Sequence, residues 1–282
     1  MFKDAVTAYY RDRPGRAALY REELCWLESP GCGSDFMAVY PYPFCGKYLR
    51  DTGRVAVRRG TDGLPCVMHG DQRLFFPAHW GKTAMGDSLI SYKYRYLCME
   101  QDPESPHCYL TPALRAMAFD TLVDAGCAEG MLALEMIDRV ERVLLVECDR
   151  AWLPALEATF APWKHKTTIV PKKLGDTDSG DSVTLQTLAR TYNIRNALVK
   201  LDVEGYERQA LAGAGELREY ARALLCCTYH RADDAAALAG ELARRGYRLE
   251  FSRGYMLFAS PPPWLPLPEP PYFRKGLVRG II

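Results

Sequence analysis

From about Ala118 onward the chain alternates short β-rich runs with helix-like stretches, and this alternation constrains its fold more than any other feature. Strands that alternate with helices bury their apolar faces as a mostly parallel sheet with helices packed over it. Residues 121–125 (TLVDA) form the first expected strand, residues 129–139 a helix, and residues 142–147 (RVLLVE) a second strand. The unbroken apolar run of that second strand suits burial on both faces. Residues 167–170, 197–201 and 223–228 continue the series, with helices expected near 185–192 and 206–220. An alanine-rich stretch at 232–245 opens on Asp233 and Asp234, closes on Arg244 and Arg245 and is followed by Gly246, the start and stop signals of a helix. Residues 247–251 and 255–259, split by Ser-Arg-Gly, read as a closing hairpin. The expectation is an α/β domain over residues 118–260, with a Rossmann-like, seven-stranded sheet ending in an antiparallel pair.

Open parallel sheets hold ligands outside the carboxyl ends of their strands, which directs attention to the first strand–helix junction. It reads VDAGCAEG, from Val123 to Gly130. Gly126 permits a tight turn and a close backbone approach, and Gly130 relieves crowding where the helix starts. Asp124 is placed to accept from a ligand's amino group, and Cys127 and Glu129 fill the loop. A dinucleotide loop favours G-x-G-x-x-G, and an acid at Glu129 would repel a pyrophosphate on the helix N-terminus. Glu147 ends the second strand about 20 residues further on, the distance at which an acid reaches a bound ribose. Glycine turn and ribose-type acid together imply an adenosine-containing ligand.

A second motif, VKLDVEGYE, runs from Val199 to Glu207. With these two motifs the chain resembles the FkbM family of S-adenosylmethionine-dependent methyltransferases over about residues 121–259. The resemblance implies the class I methyltransferase sheet and, usually, O-methylation; substrate identity does not carry over, and a small-molecule or glycan hydroxyl is the expected acceptor. It also implies S-adenosylmethionine as the cofactor, held by Asp124, Gly126, Cys127, Glu129, Gly130 and Glu147. The segment from Glu100 to His107 is similar to one that precedes the core in some relatives. Gln186 departs from the family, which often has Asp there, and leaves the role of that acid open.

Methyl transfer needs an acceptor atom held in line with the methyl group, and often a base to remove its proton. Lys200, Asp202 and Glu204 alternate with Leu201 and Val203, so a period of two turns all three toward one side of the fourth strand's end. Asp202 leads as a catalytic or substrate-orienting residue. Lys200 either shares that role or pairs with Asp202 or Glu204 to make buried charge tolerable. His230, in Tyr229-His230-Arg231 at the next strand's end, is the expected general base, since imidazole titrates near neutral pH. Asp202, His230 and Asp233 are also candidate ligands for Mg2+. Two other readings stay open: a nucleotide-dependent oxidoreductase, and a non-catalytic binding protein that keeps the methyltransferase fold.

Outside this domain the sequence says less. Lys plus Arg number 36 against 35 Asp plus Glu, so no field draws the chain to nucleic acid or an anionic membrane, and neither is expected as a partner. Nowhere do about 18 uninterrupted apolar residues occur, and residues 1–14 lack the apolar centre of a signal peptide, so a cytoplasmic location is expected. Six of the ten cysteines, Cys25, Cys32, Cys45, Cys66, Cys98 and Cys108, lack Cys-x-x-Cys spacing, and Cys127, Cys148, Cys226 and Cys227 lie in or beside strand-like runs. Reduced, packed thiols are expected rather than structural zinc. Residues 1–117 should form a small α+β cap, helix-like at 22–28 and strand-like at 54–58 and 73–77. The Tyr92-Lys-Tyr-Arg-Tyr96 run either stacks on an acceptor or lines a strand. Residues 261–282 read as a proline-rich tail carrying Arg274, Lys275 and Arg279 in solvent.

Overall fold

The computed structural model describes residues 2–29, 40–41, 55–60, 62–257 and 270–282. Seven strands make its central sheet: β1 Thr121–Ala125, β2 Arg142–Val146, β3 Thr167–Val170, β4 Ala197–Leu201, β5 Ala221–Cys227, β6 Arg248–Phe251 and β7 Leu277–Ile281. Their order is β6-β7-β5-β4-β1-β2-β3. The pairs from β5 through β4, β1 and β2 to β3 are parallel, and β7 runs antiparallel to both β5 and β6. The chain is thus α/β, with a Rossmann-like, seven-stranded sheet. Its order reverses between β1 and β4, and the crevice at that switch point is where such sheets bind ligands.

Alternation along the strands divides the core between two faces. Leu122, Leu198, Ala223, Leu225 and Cys227 join one cluster with α1 (Met131–Met136), α2 (Leu153–Phe160) and the cap residues Val67, Leu74 and Phe76. Val123, Val199, Leu201, Leu224 and Cys226 join the other with α3 (Leu185–Thr191), α4 (Glu207–Ala212) and α5 (Asp234–Arg244). Each fully buried Leu or Val stabilises by roughly 1.5–3 kcal/mol relative to exposure. The two-sided burial explains why β1, β2, β4 and β5 read as apolar runs rather than as alternating ones.

The final strand corrects the expected domain boundary at residue 260. Residues 255–259 do not close a hairpin with β6. Met256–Leu257 instead pairs with Phe273–Arg274 and Tyr40–Pro41 in a separate small sheet, and residues 258–260 lie outside the described residues. The tail returns to insert Leu277–Ile281 between β5 and β6, satisfying the ladder groups that either edge would leave unpaired. Residues 277–278 are apolar enough to be buried there, and a proline-based reading of the whole tail hid this. Arg279 and Arg274, expected in solvent, are 4% and 7% exposed. Arg279 donates to the carbonyls of Cys108 and Tyr109 and pairs with Glu250 at 3.3 Å. The Pro-rich residues 261–269 lie outside the described residues.

The cap is α+β as expected, with helices at Phe2–Arg11, Pro14–Leu19, Arg21–Glu28 and Asp87–Glu100 and strands at Arg58–Arg59, Pro65–His69 and Gln72–Phe75. Tyr92, Tyr94 and Tyr96 lie on the helix Asp87–Glu100 rather than on a strand, so they do not present one continuous face. Tyr92 is exposed, while the Tyr94 hydroxyl is 3.1 Å from His69 Nδ1. All eight described cysteines are free thiols, and Cys32 and Cys45 lie outside the described residues. Among the described residues no helix is long and apolar enough to cross a membrane.

Candidate functional site

The loop between β1 and α1 depends on its glycines. Gly126 has φ +67°, and a Cβ there would meet the Asp202 carbonyl oxygen at 1.7 Å, so only glycine lets the β1 loop lie against the end of β4. Gly130, at φ +78°, sits against the Phe160 ring, which a Cβ would meet at 2.7 Å. Glu147 closes this loop from the end of β2. Its Oε2 accepts from Ala128 N at 2.9 Å and its Oε1 from Asp149 N at 2.8 Å.

In register, Lys200 on β4 stands opposite Asp124 on β1, both turned to the α1 side of the sheet. Lys200 Nζ lies 3.2 Å from Asp124 Oδ1 and donates to the Gly126 carbonyl at 2.6 Å. The lysine therefore pairs across the strands with Asp124, and not with Asp202 or Glu204 as the strand pattern alone suggested. Burial raises the Asp124 pKa against the opposing pull of Lys200. Burial by itself would lower the lysine's, but Asp124 and Asp202 outweigh it and the net shift is upward, so the ammonium keeps its proton. Asp124, expected to accept from a ligand, is turned to Lys200.

The strand pattern also stops short of Glu204. β4 ends at Leu201, and Glu204 sits in the following turn with φ +53° and a 92% exposed side chain. Asp202, just beyond the strand, is crowded with donors. It accepts from Tyr109 Oη at 2.7 Å and Tyr229 Oη at 3.3 Å, and His107 Nε2 and His230 Nε2 lie 3.6 and 3.5 Å away. Burial favours the neutral acid, yet His107, Lys200 and His230 outweigh it and hold Asp202 well below the usual carboxylate range. A carboxylate held ionised this firmly is a poor base and a good orienting acceptor.

His230 fits the role of general base less well. Burial would lower its pKa, but Glu207, Asp202 and Glu204 overcome that and raise it to about 9. At neutral pH the ring is a cation that donates. It stands behind Asp202, with Nδ1 3.0 Å from Glu207 Oε1. The magnesium reading fails on its third ligand. Asp233 is 72% exposed and pairs with Arg208 at 2.6 Å, while the carboxylate beside His230 and Asp202 is Glu207, already bonded to backbone amides. The three side chains that do lie within reach of one another, Asp202, Glu207 and His230, offer an imidazole and two carboxylates already engaged elsewhere rather than the oxygen-rich set that magnesium favours.

At the carboxyl edge of β1 and β4 these residues enclose a cavity of about 200 Å³. Gly126, Cys127, Ala128 and Glu129 of the loop form one wall, Asp124, Lys200 and Asp202 the floor, and His107, Tyr109, Glu100 and Tyr229 the cover. Five carboxylates, Glu100, Asp124, Glu129, Asp202 and Glu204, line the cavity against Lys200 and the His107 imidazole. No described side chain forms an ion pair with Glu129, and burial raises its pKa to about 7. Burial likewise pushes the Cys127 thiol well up, which keeps it protonated. A larger groove, about 560 Å³, lies at the amino ends of β4 and β5 and includes Gln186. That is the wrong edge of the sheet for chemistry at the switch point, and the Gln186 departure removes no group from the cavity.

Sequence reasoning had not assigned roles to His107, Tyr109, Tyr229, Glu207 or Arg274. His107 closes the Glu100–His107 segment already singled out, and Glu207 ends the VKLDVEGYE motif, so both carried a signal. Tyr109 and Arg274 lay in stretches without one.

No family model matches the chain and no curated protein matches it. Solved structures with partial likeness include the methyltransferase FkbM from Methylobacillus flagellatus, with 19% identity over 70% of this chain and 54% of that one, at a TM-score of 0.45. The match therefore spans about half of that protein's length. The methyltransferase domain of METTL16 is 11% identical over 80% of this chain and 86% of its own, at a TM-score of 0.43. Precorrin-6y C5,15-methyltransferase from Geobacter metallireducens is 9% identical over 60% and 84%, at 0.39.

Proposed function

We propose that the chain is an S-adenosylmethionine-dependent methyltransferase that methylates a hydroxyl of a small-molecule or glycan acceptor. The observation that carries this reading is the acidic cavity at the β1–β4 switch point. S-adenosylmethionine, when bound, supplies a methyl group on a cationic sulfur. Carboxylates that outnumber Lys200 and His107 favour such a ligand and disfavour the pyrophosphate of a dinucleotide, which argues against the oxidoreductase alternative.

The residues fit the donor in three ways. The glycine loop brings backbone close to the cavity, with Glu129 unpaired at its wall to face the donor's positive charge. Glu147 lies at the loop's outer side, its carboxylate already fixed by two amides and retaining lone pairs for a ribose diol. The cavity's volume, below the roughly 300 Å³ of a drug-sized site, suits one end of the donor. Asp202 orients the acceptor hydroxyl by accepting its hydrogen bond, and the Tyr109 and Tyr229 hydroxyls keep the carboxylate aimed. Cytoplasmic residence belongs to the same proposal.

Isothermal calorimetry with S-adenosylmethionine, S-adenosylhomocysteine and NAD tests the reading directly. Binding of the first two and not of NAD is expected; binding of NAD alone overturns it. Transfer of labelled methyl to a metabolite extract then identifies the acceptor, and donor binding without transfer to any acceptor favours the non-catalytic alternative.

A further inference from the structure

The turn after β4 carries a buried carboxylate that the chemistry above does not use. Glu207, the first residue of α4, has a side chain only 1% exposed. Its Oε1 accepts from Val203 N at 2.9 Å and from Gly205 N at 3.4 Å, tying down the turn that presents Asp202. Its Oε2 has no hydrogen-bond partner among the described residues. A carboxylate buried this far is costly unless its charge is matched. Among the described residues the cation within ion-pair reach is the His230 ring, whose Nδ1 is 3.0 Å from Oε1 though off the line of an ideal hydrogen bond.

On its other side the same ring turns Nε2 to Asp202 Oδ1 at 3.5 Å and to Glu204 Oε2 at 3.6 Å. Both ring nitrogens thus face carboxylates. A neutral imidazole would set one lone pair against an acid, whereas the imidazolium turns an N–H toward the carboxylates on each side. The ring's place is fixed from outside as well. Arg274 donates to the carbonyls of Tyr229 at 2.8 Å and His230 at 3.0 Å, and the Tyr229 ring lies 4.3 Å from the imidazole. The groups facing His230 are therefore Asp202, Glu204 and Glu207 from the turn and α4, Tyr229 from its own strand end, and Arg274 from the returning tail.

We propose that Glu207 is a positioning residue that acts through His230 to fix both the direction and the charge of Asp202 at the cavity. The three side chains form a carboxylate–imidazole–carboxylate chain running from the buried start of α4 to the site. That Asp202 meets an acceptor rests on the methyltransferase reading; the chain itself does not.

The test uses the full chain with isotope-labelled histidine, His230 being identified by loss of its signal in His230→Gln. In the wild type the ring should titrate near 9. Glu207→Gln keeps a carbonyl oxygen for Val203 and Gly205 but removes the charge, and there His230 should titrate clearly lower than in the wild type, with Asp202 and Glu204 still holding part of the rise. Glu207→Asp, which keeps the charge, should restore much of the rise. S-adenosylhomocysteine affinity should stay within roughly threefold in all three proteins, because the donor wall is untouched. An unchanged His230 titration in Glu207→Gln overturns the proposal, as does an equal fall in Glu207→Gln and Glu207→Asp. Should Glu207→Gln not fold, Asp202→Asn reads the coupling from the other end: a fall in the His230 titration supports the chain, and none refutes it. Absence of S-adenosylhomocysteine binding to the wild type would defeat the methyltransferase reading alone, since the histidine titration decides the chain independently.

Discussion

Replacing Lys200 by methionine keeps most of the side chain's length and removes its charge, which isolates the electrostatic role of the β1–β4 pair. In the native chain the Lys200 and Asp124 side chains are 5% and 1% exposed and 3.2 Å apart, and the ammonium also satisfies the Gly126 carbonyl. Removing one partner of a buried ion pair leaves the other uncompensated, an effect of about 3–5 kcal/mol. With an unfolding entropy of roughly 2.1 cal/mol/K per residue over 282 residues, this lowers Tm by about 5–8 °C. The deficit has a definite pH dependence. Burial already raises the Asp124 pKa with the lysine present, and losing the lysine raises it further. A raised acid is stable in its protonated form, so the deficit shrinks as pH falls below the mutant's pKa and grows as pH rises through it. Urea denaturation at pH 5 and pH 8 measures both points. Adding Asp124→Asn to Lys200→Met should recover most of the lost stability, because no bare charge then remains. A deficit under about 1 kcal/mol, the value of an exposed pair, or one equal at the two pH values would refute this account of the pair.

Gly126→Ala should destroy the folded loop, since its Cβ meets a backbone oxygen at 1.7 Å; loss of more than about 4 kcal/mol or of soluble protein is expected, and a wild-type melting curve would contradict the packing described. Because Glu129 deprotonates as pH rises through about 7, S-adenosylmethionine affinity should increase between pH 6 and pH 8, and calorimetry of Glu129→Gln should show that dependence flattened. Tyr109→Phe removes the 2.7 Å hydrogen bond to the Asp202 carboxylate, a loss of about 1.5–3 kcal/mol for a charged acceptor, and methyl transfer should fall with donor affinity retained. A chain ending after Lys275 loses β7 and should be insoluble, since β5 and β6 then both present open edges.

Four of the five parallel strands, β1, β2, β4 and β5, were legible because each is a short, mostly apolar run bounded by turn residues and buried on both faces; the half-buried edge strand β3 was legible from its β-branched residues. The switch-point loop was legible because Gly126 and Gly130 sit where backbone must approach closely. What escaped was set by contacts distant along the chain. Lys200 finds Asp124 only once β4 lies beside β1, so a pattern confined to one strand offered it Asp202 or Glu204 instead. β7 is two apolar residues followed by Arg-Gly-Ile, too brief to stand out behind a proline-rich stretch, and its pairing is decided by the edges it fills. His230 looked like a base because imidazole titrates near neutrality; three nearby carboxylates, brought together by the β4–α4 turn, reverse that expectation.

The insertion of β7 also has a kinetic side. β6 is synthesised before β7 yet is separated from β5 by it, so the two strands cannot reach their final ladder until the later segment arrives. During synthesis β5 is left with an unsatisfied flank while the sheet's other half can already be complete. Contacts this distant in sequence make folding slow and leave strand edges open to other chains in the interval. The segment that leads into β7 carries Arg274, which holds the His230 backbone, so that contact too waits for the returning tail, and protection of amides from hydrogen exchange should appear on β1 and β4 before it appears on β6.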